Sequence, residues 1–526
     1  MRALKGILLS SAASLVAVAG AQAAPEATQA SAVEYVRVCS LYGAGFWYVP
    51  GTDTCLKIGS YVRVQTEWGA NGGGIPIGFG AGQTAGRFNR TDTNELAFRT
   101  RAAVSLDTRT QTEYGTLRSY FEIGAQQTTP NDATEAVFFD RGFIQFAGFT
   151  AGRIRSYFDI NSFAPYSYSN NRVSGDTGAS GIYGIAYTAQ FGNGVTASLS
   201  FEDGGASAAG ATNGGGRGHM TANFSTTGFG LGTTAFDNKG WTYPDVVGAL
   251  RVDQAWGYAQ IAAALHDMSG GYYTTPSTGA PGIGCGAGNC ELFGHPKDKA
   301  GFAATGGFTL NDVFGMKGDQ FGVQAAYSQG AAGYVTRATG AFQVYSSNNN
   351  AGFGWVTDGV YDTPGLGISS GQIERTTVWG VNGFYQHFWD PRWRSSVYGG
   401  YVEVDYNANA TALLNQHLPG AAGSMPCGLP VLGAVQPPVG VPVPPPPNGN
   451  SCSPNFSWWQ VGSRTQWNPH PDLDIGLDVL WTHLNTAYKG PGVTLGSNGA
   501  RPAAVASIDD QDVLSVMFRI QRNFLP

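Results

Sequence analysis

The residues best placed to do chemistry are arginines. The chain has 23 of them against seven lysines, and nine lie between Arg87 and Arg155. Arg99, Arg101 and Arg118 fall on one face of alternating runs, Glu122 shares that face, and Arg141, Arg153 and Arg155 are expected to join it. The stretch that follows, Ser156 to Ser180, is rich in Tyr, Asn and Ser and carries Asp159 and Asp176. Guanidinium groups stay charged at any ordinary pH. Facing carboxylates across a narrow wet gap, they would set up a transverse field where screening is poor. The plainer reading is that they pair with neighbouring carboxylates or lipid phosphate and only hold a wall together. Covalent chemistry is not advertised. The chain has no His-Glu-x-x-His pair and no phosphate loop ending in Gly-Lys-Ser/Thr. The glycine tract Gly72 to Gly86 has no lysine after it, and His387 and His483 stand alone among aromatics. Catalysis is not expected, nor is a metal or organic cofactor.

The composition narrows what can position such a face. Charged residues are 13% of the 526, about half of the ~25% usual in soluble domains. There are 77 glycines, aromatics reach 12%, and the formal charge is −6. That sign excludes a basic nucleic-acid binder. Arg2 and Lys5, the apolar run Ile7 to Val18, and Ala21-Gln22-Ala23 have the order of a cleaved export signal, residues 1–23. Cutting there leaves 28 basic against 36 acidic residues, a charge of −8. No second apolar stretch approaches the ~20 residues a membrane helix needs.

Residues 24–526 show no composition break and read as one domain of strands. In Glu95 to Asp107, Leu96, Phe98, Thr100, Ala102, Val104 and Leu106 fall on one face; Glu95, Arg99, Arg101, Ser105 and Asp107 fall on the other. Leu117, Phe121 and Ile123 likewise oppose Arg118, Tyr120 and Glu122, and Leu514, Val516, Phe518 and Ile520 oppose Ser515, Met517, Arg519 and Gln521. Alternation alone suits a soluble sandwich or a membrane barrel equally. Export, aromatic richness and one long succession of hairpins favour the barrel. Short turns such as Gly192-Asn193-Gly194, Asp253 to Gly257, Trp389 to Arg392 and Asn468 to Pro471 alternate with long connections at 68–93, 267–300, 330–371 and 407–456. Eight short turns predict 18 strands, and one fewer predicts 16. Aromatics near run ends (Tyr61, Trp68, Trp379, Phe388, Trp389, Trp393, Trp458, Trp459, Trp467, Trp481) suggest interfacial belts. Pro437 to Pro447 lies in the connection 407–456 and reads as stiff exposed chain.

The six cysteines form three close pairs, Cys39 with Cys55, Cys285 with Cys290, and Cys427 with Cys452. Six cysteines allow 15 connectivities. Local disulfides are favoured over a metal set drawn from Cys285, Cys290 and His295, which offers three ligands where structural zinc usually takes four.

Four segments carry a family resemblance. Val33 to Arg63 resembles the amino-terminal signature of the alphaproteobacterial general porins, and Asp107 to Glu122, Phe143 to Asp159 and Phe518 to Phe524 are similar to that family too. The resemblance implies a transmembrane antiparallel β-barrel, usually of 16 strands, assembled as a homotrimer in the bacterial outer membrane in contact with lipopolysaccharide. It also implies passive diffusion of small hydrophilic solutes and ions, and an inward constriction loop after the fifth strand, here about residues 158–180. Two departures stand out. The turn count prefers 18, and the chain ends Phe524-Leu525-Pro526 where the family ends on an aromatic residue. The competing readings are a channel specific for an anionic or sugar ligand, and a barrel serving adhesion or envelope anchoring.

Overall fold

In the computed structural model, the described residues are 37–69, 78–79, 96–129, 136–162, 165–168, 175–178, 181–204, 217–223, 237–240, 242–273, 291–337, 339–345, 350–364, 370–417, 451–495 and 504–525. The expected export signal, Arg87, Arg90, most of the glycine tract, Cys285, Cys290, Cys427, the proline segment and parts of 158–180 lie outside them.

Alternating runs become strands because each can satisfy its backbone only by pairing sideways. Nineteen join in one hydrogen-bonded sheet. Three short ones (Trp47–Tyr48, Thr221–Asn223 and Gly359–Tyr361) sit at its margin. The other sixteen close on themselves. They are β1 Thr54–Trp68, β2 Leu96–Thr112, β3 Gly115–Thr129, β4 Ala136–Phe146, β5 Phe149–Ile154, β6 Ile182–Gly192, β7 Val195–Glu202 and β8 Asp245–Gln254. The second half comprises β9 Gly257–Asp267, β10 Ala300–Asn311, β11 Gln320–Gln329, β12 Glu374–Phe388, β13 Trp393–Tyr406, β14 Phe456–His470, β15 Leu473–Asn485 and β16 Gln511–Leu525. Each pairs antiparallel with its neighbours, and β1 closes the ring by pairing β2 on one side and β16 on the other, from Ser60 opposite Leu525 to Trp68 opposite Val516. Closure removes every strand edge, which is what a span through hydrocarbon demands.

The faces decide the solvent. Phe98, Val104, Phe121, Ile123, Tyr183, Ile185, Leu250, Ile261, Val397, Leu477 and Phe518 are exposed, whereas Gln65, Glu67, Asp140, Ser200, Gln324, Arg464 and Asp478 are buried. A soluble sheet would bury the first set and expose the second. The inversion fits lipid outside and polar groups inside.

Seven hairpins with short turns join β2 to β3, β4 to β5 and so on to β14 and β15. Adding the first and last strands gives sixteen, so the count of eight turns overshot by one hairpin. At the β6–β7 turn Gly194 takes φ +72, and a Cβ there would collide with the Asp253 carbonyl. Exposed aromatics ring this rim (Tyr114, Phe149, Phe191, Trp256, Phe314, Trp389 and Trp393), as an interfacial belt requires. Trp393 and Trp467 stack with centroids 5.7 Å apart. Trp458 departs from that expectation and is fully buried.

At the long-loop end the connections fold over the barrel. Val378, Val402, Val404, Trp458 and Leu484 from β12–β15 form an apolar core with Phe353, Trp355 and Leu414. A separate five-stranded sheet lies in these connections. Two helices interrupt the all-β expectation, α1 (Gly333–Thr336) and α2 (Ala408–His417). Asn407 starts α2 by accepting the Ala410 N–H on its side-chain oxygen at 2.8 Å. Ala410, Leu413 and Leu414 then turn inward, so this part of the connection 407–456 is folded and buried rather than a simple surface loop.

Candidate functional site: the charged interior wall

The register of β1–β4 stacks the sequence's arginines on the interior face. Arg99 lies opposite Thr128 and Arg101 opposite Gln126. Arg99 donates to Thr128 Oγ1 at 3.2 Å and sits 3.7 Å from Glu67. Arg118 makes a two-pronged contact with Asp107 at 3.0 and 2.9 Å and donates to Gln145 at 2.9 Å. Glu122 accepts the Tyr120 hydroxyl at 3.2 Å and lies opposite Arg141. An irregularity in β4 shifts the register at Asp140, between Phe139 opposite Ile123 and Arg141 opposite Glu122. One extra residue brings two successive side chains to the same side. Asp140 pairs with Arg101, whose guanidinium also lies 3.7 Å from the Phe138 ring centre. Arg141 reaches the Gly178 carbonyl at 2.7 Å.

Arg153 falls elsewhere. It alternates with exposed Phe149 and Ala151, sits opposite Tyr183, and lies over that exposed ring at 5.5 Å. Its register therefore places it on the outer-face side of β5, with its side chain buried.

The chain between β5 and β6 reaches across the barrel. Near its origin, Ser156 and the Tyr157 N–H donate to Glu202 of β7 at 2.6 and 2.9 Å. Gln260 of β9 donates to the Tyr157 carbonyl at 2.9 Å, and Thr309 of β10 donates to Asn161 at 2.8 Å. Further along, Ser167 donates to Asp478 of β15 at 3.1 Å, and Arg519 of β16 donates to the Tyr168 carbonyl at 3.1 Å. Tyr166 stacks on Phe384 of β12, centroids 4.0 Å apart.

Asp159 and Asp176 do not look freely across at the arginine wall. Both are buried at the base of this segment, and Arg155 lies 3.7 and 3.8 Å from them. Thr177 donates its N–H to Asp159 at 2.9 Å, and the Gly178 N–H donates to Asp176 at 2.9 Å. Burial pushes the Asp176 carboxyl up, with Arg155 opposing and Asp159 reinforcing the shift. Burial works against the Arg155 charge, but Asp176 and Asp159 more than offset it and raise its affinity for the proton.

Sequence reading missed Arg217, which pairs with Asp159 at 2.7 Å from a connection whose contacts no periodicity reveals. It also passed over further arginines on the other side of β1, where Arg519 lies opposite Gln65 and Gln65 lies opposite Arg99. Tyr168 lies between Arg519, 4.1 Å from its ring, and Arg464, at 5.0 Å. Arg63 donates to Gln521 at 2.7 Å nearby. The polar alternation of β16 had already placed Arg519 inward.

Of the expected disulfides, Cys39–Cys55 is present, with Cα atoms 6.0 Å apart. Cys452 is disulfide-bonded; its expected partner Cys427 and the pair Cys285 and Cys290 lie outside the described residues.

The sequence matches the porin subfamily over residues 24–517. It is 33% identical over 264 residues to porin Omp2b of Brucella abortus, and 32% identical over 264 residues to porin Omp2b of Brucella melitensis. Each alignment spans 48% of this chain and 63% of the relative, so the chain covers less than two thirds of these relatives' length. Among solved structures, the outer membrane channel DcaP of Acinetobacter baumannii superposes with a TM-score of 0.54 over 91% of this chain and 99% of that one, at 12% identity, a likeness of fold alone.

Proposed function

Because the chain belongs to the porin subfamily and its barrel is of the bacterial outer-membrane kind, we propose that it forms a passive diffusion channel for small hydrophilic solutes and ions. The observation carrying this reading is the inverted barrel, apolar outside and charged inside, with the segment between β5 and β6 bonded to strands on both sides of its interior. That segment is the constriction. Arg99, Arg101, Arg118, Glu122 and Arg141 line the wall beside it, and Arg63, Arg519 and Arg464 continue that wall through β1 toward β14. Arg155, Asp159 and Asp176 form its charged base. Solutes pass by size, and ions feel the guanidinium groups at short range in a gap where water screens poorly. No energy coupling is needed.

The assembly is a homotrimer, with lipopolysaccharide against the outer wall at the long-loop end. An exposed apolar band on every strand supports burial by lipid and by neighbouring copies. Single-channel recording of the purified trimer in a planar bilayer tests the proposal. Ohmic steps that scale with salt and show no saturable block are expected. Absence of steps from folded trimer overturns it, and block by one anion or sugar would make the channel substrate-specific.

A further inference from the structure

A buried cluster lies outside the residues that the channel reading uses. His219 lies between β7 and β8, His266 near the end of β9, and Asp358 between β11 and β12. All three are buried, and their ligating atoms lie within 4.8 Å of one another. The imidazole rings meet edge to face, 4.6 Å between centres. Nε2 of His219 and Nε2 of His266 are both sealed from solvent and, among the described residues, have no hydrogen-bond partner. His266 Nε2 stands 3.8 Å from Asp358 Oδ2, too long for a hydrogen bond. Buried nitrogens are ordinarily satisfied, because an unmade bond leaves their desolvation uncompensated. Two orphaned imidazole nitrogens gathered at one carboxylate are what a metal ion would satisfy together.

We propose that His219, His266 and Asp358 bind a divalent transition metal ion, zinc by preference, which fastens two long connections to the barrel wall. The supporting groups are those such a site uses. His266 turns its other nitrogen, Nδ1, to Asp245 at 2.8 Å, which fixes the tautomer that leaves Nε2 as the ligand. Tyr334 of α1 donates to the same Asp245 at 2.8 Å. Asp358 is held in orientation by the Met220 N–H at 2.6 Å and the Ala332 N–H at 2.7 Å. With neutral imidazoles, Asp245 and Asp358 bring two negative charges, which a divalent ion balances. Imidazole with carboxylate suits zinc and its neighbours and disfavours magnesium and calcium, which take oxygen ligands. Three protein ligands leave the fourth position to water, so the site is expected to hold its ion less tightly than a four-ligand structural zinc does. The three residues are far apart in sequence and form no motif, so the site is invisible until the barrel closes.

The test uses untagged trimer in detergent, stripped with chelator, dialysed against zinc and then against buffer. Elemental analysis should find about one zinc per chain. His219→Ala should lose it, Asp358→Asn should bind roughly tenfold or more weakly, and His470→Ala, at an exposed turn, should bind as the parent does. Heat-resistant trimer on a gel verifies that each variant is folded. Zinc-edge X-ray absorption on the unaltered protein guards against misfolded variants and should show imidazole nitrogen in the first coordination shell. Parent trimer that retains no zinc, His219→Ala trimer that retains as much as the parent, or a zinc first shell without imidazole would each overturn the proposal.

Discussion

Arg217 and Asp159 form an ion pair of 2.7 Å in which both side chains are sealed from water. The guanidinium lies 4.2 Å from the Tyr334 ring and 5.2 Å from the Phe158 ring, and it also donates to Ser156 at 2.9 Å. One side chain thus joins three connections: the one it sits on, the segment between β5 and β6, and α1. Gly175 marks how close they come, since a Cβ there would collide with the Tyr334 carbonyl.

Removing one partner of a buried pair strands the other charge, at about 3–5 kcal/mol. Arg217→Met should therefore loosen the segment between β5 and β6 and leave the barrel standing. Hydrogen exchange at 156–162 and 175–178 should quicken while exchange in β1–β16 holds. Unchanged exchange in the segment would mean Arg217 is not what anchors it.

Ion preference should respond to face rather than to charge alone. Arg99→Gln with Arg101→Gln removes two interior cations and leaves Glu67 and Asp140 behind them. Reversal potential under a salt gradient should move toward cations. Arg153→Gln removes the same charge from the outer face and should leave the potential where it was. Equal shifts from both would contradict the assignment of faces.

The contrast shows what the sequence could carry. Strand alternation puts Arg99, Arg101, Arg118 and Glu122 on one face, the face the register of β2 and β3 also gives them, because period 2 fixes a face once one residue of the strand is placed. Arg153 broke the expectation because a hairpin and the β4 irregularity at Asp140 intervene, and neither leaves a count in the sequence. Arg217 was illegible for a different reason. Its partners come from connections folded over one another, and long-range packing of irregular chain has no period. The turn count overshot for a related reason, since a polar break in a run looks the same whether or not the chain reverses there.

Acidification should act through Asp176. Burial raises its pKa above the usual carboxylate value of 3.8, so the folded segment takes up a proton more readily than the unfolded one. Its ionised form therefore weakens the fold of the segment at higher pH, and that penalty is relieved as pH falls through the raised pKa. The same proton cancels a negative charge beside Arg155, so reversal potential should drift toward anions at a pH above that of ordinary aspartates. Asp176→Asn should abolish this part of the drift. An identical pH profile in the variant would exclude Asp176 as its source.

Reduction should have a local effect. Cys39 and Cys55 are separated by 16 residues, and a loop of that size contributes roughly 3 kcal/mol in the chain-entropy account. Only Cys55 lies in a barrel strand, so reductant should expose residues 37–53 to protease while the barrel stays heat-resistant. Collapse of the barrel would show that the bridge supports it.

Ile123 tests the solvent of the outer face. It is 43% exposed in β3, next to inward Glu122. On a protein that meets water there, Ile123→Arg would be close to neutral, since exposed substitutions away from special features rarely exceed about 0.5 kcal/mol. On a barrel wall it sets a guanidinium against hydrocarbon, at roughly 2–4 kcal/mol near the bilayer midplane. Unfolding in denaturant from lipid vesicles should therefore show a loss of that order for Ile123→Arg. Ser119→Arg places the same side chain on the same face nearer the turn rim. Ser119 shares the outward parity of Leu117 and Phe121, so it should also be destabilised, less so where it nears the turn rim and the side chain can reach headgroups. A vesicle-embedded Ile123→Arg protein as stable as its parent would put water, not lipid, against that face.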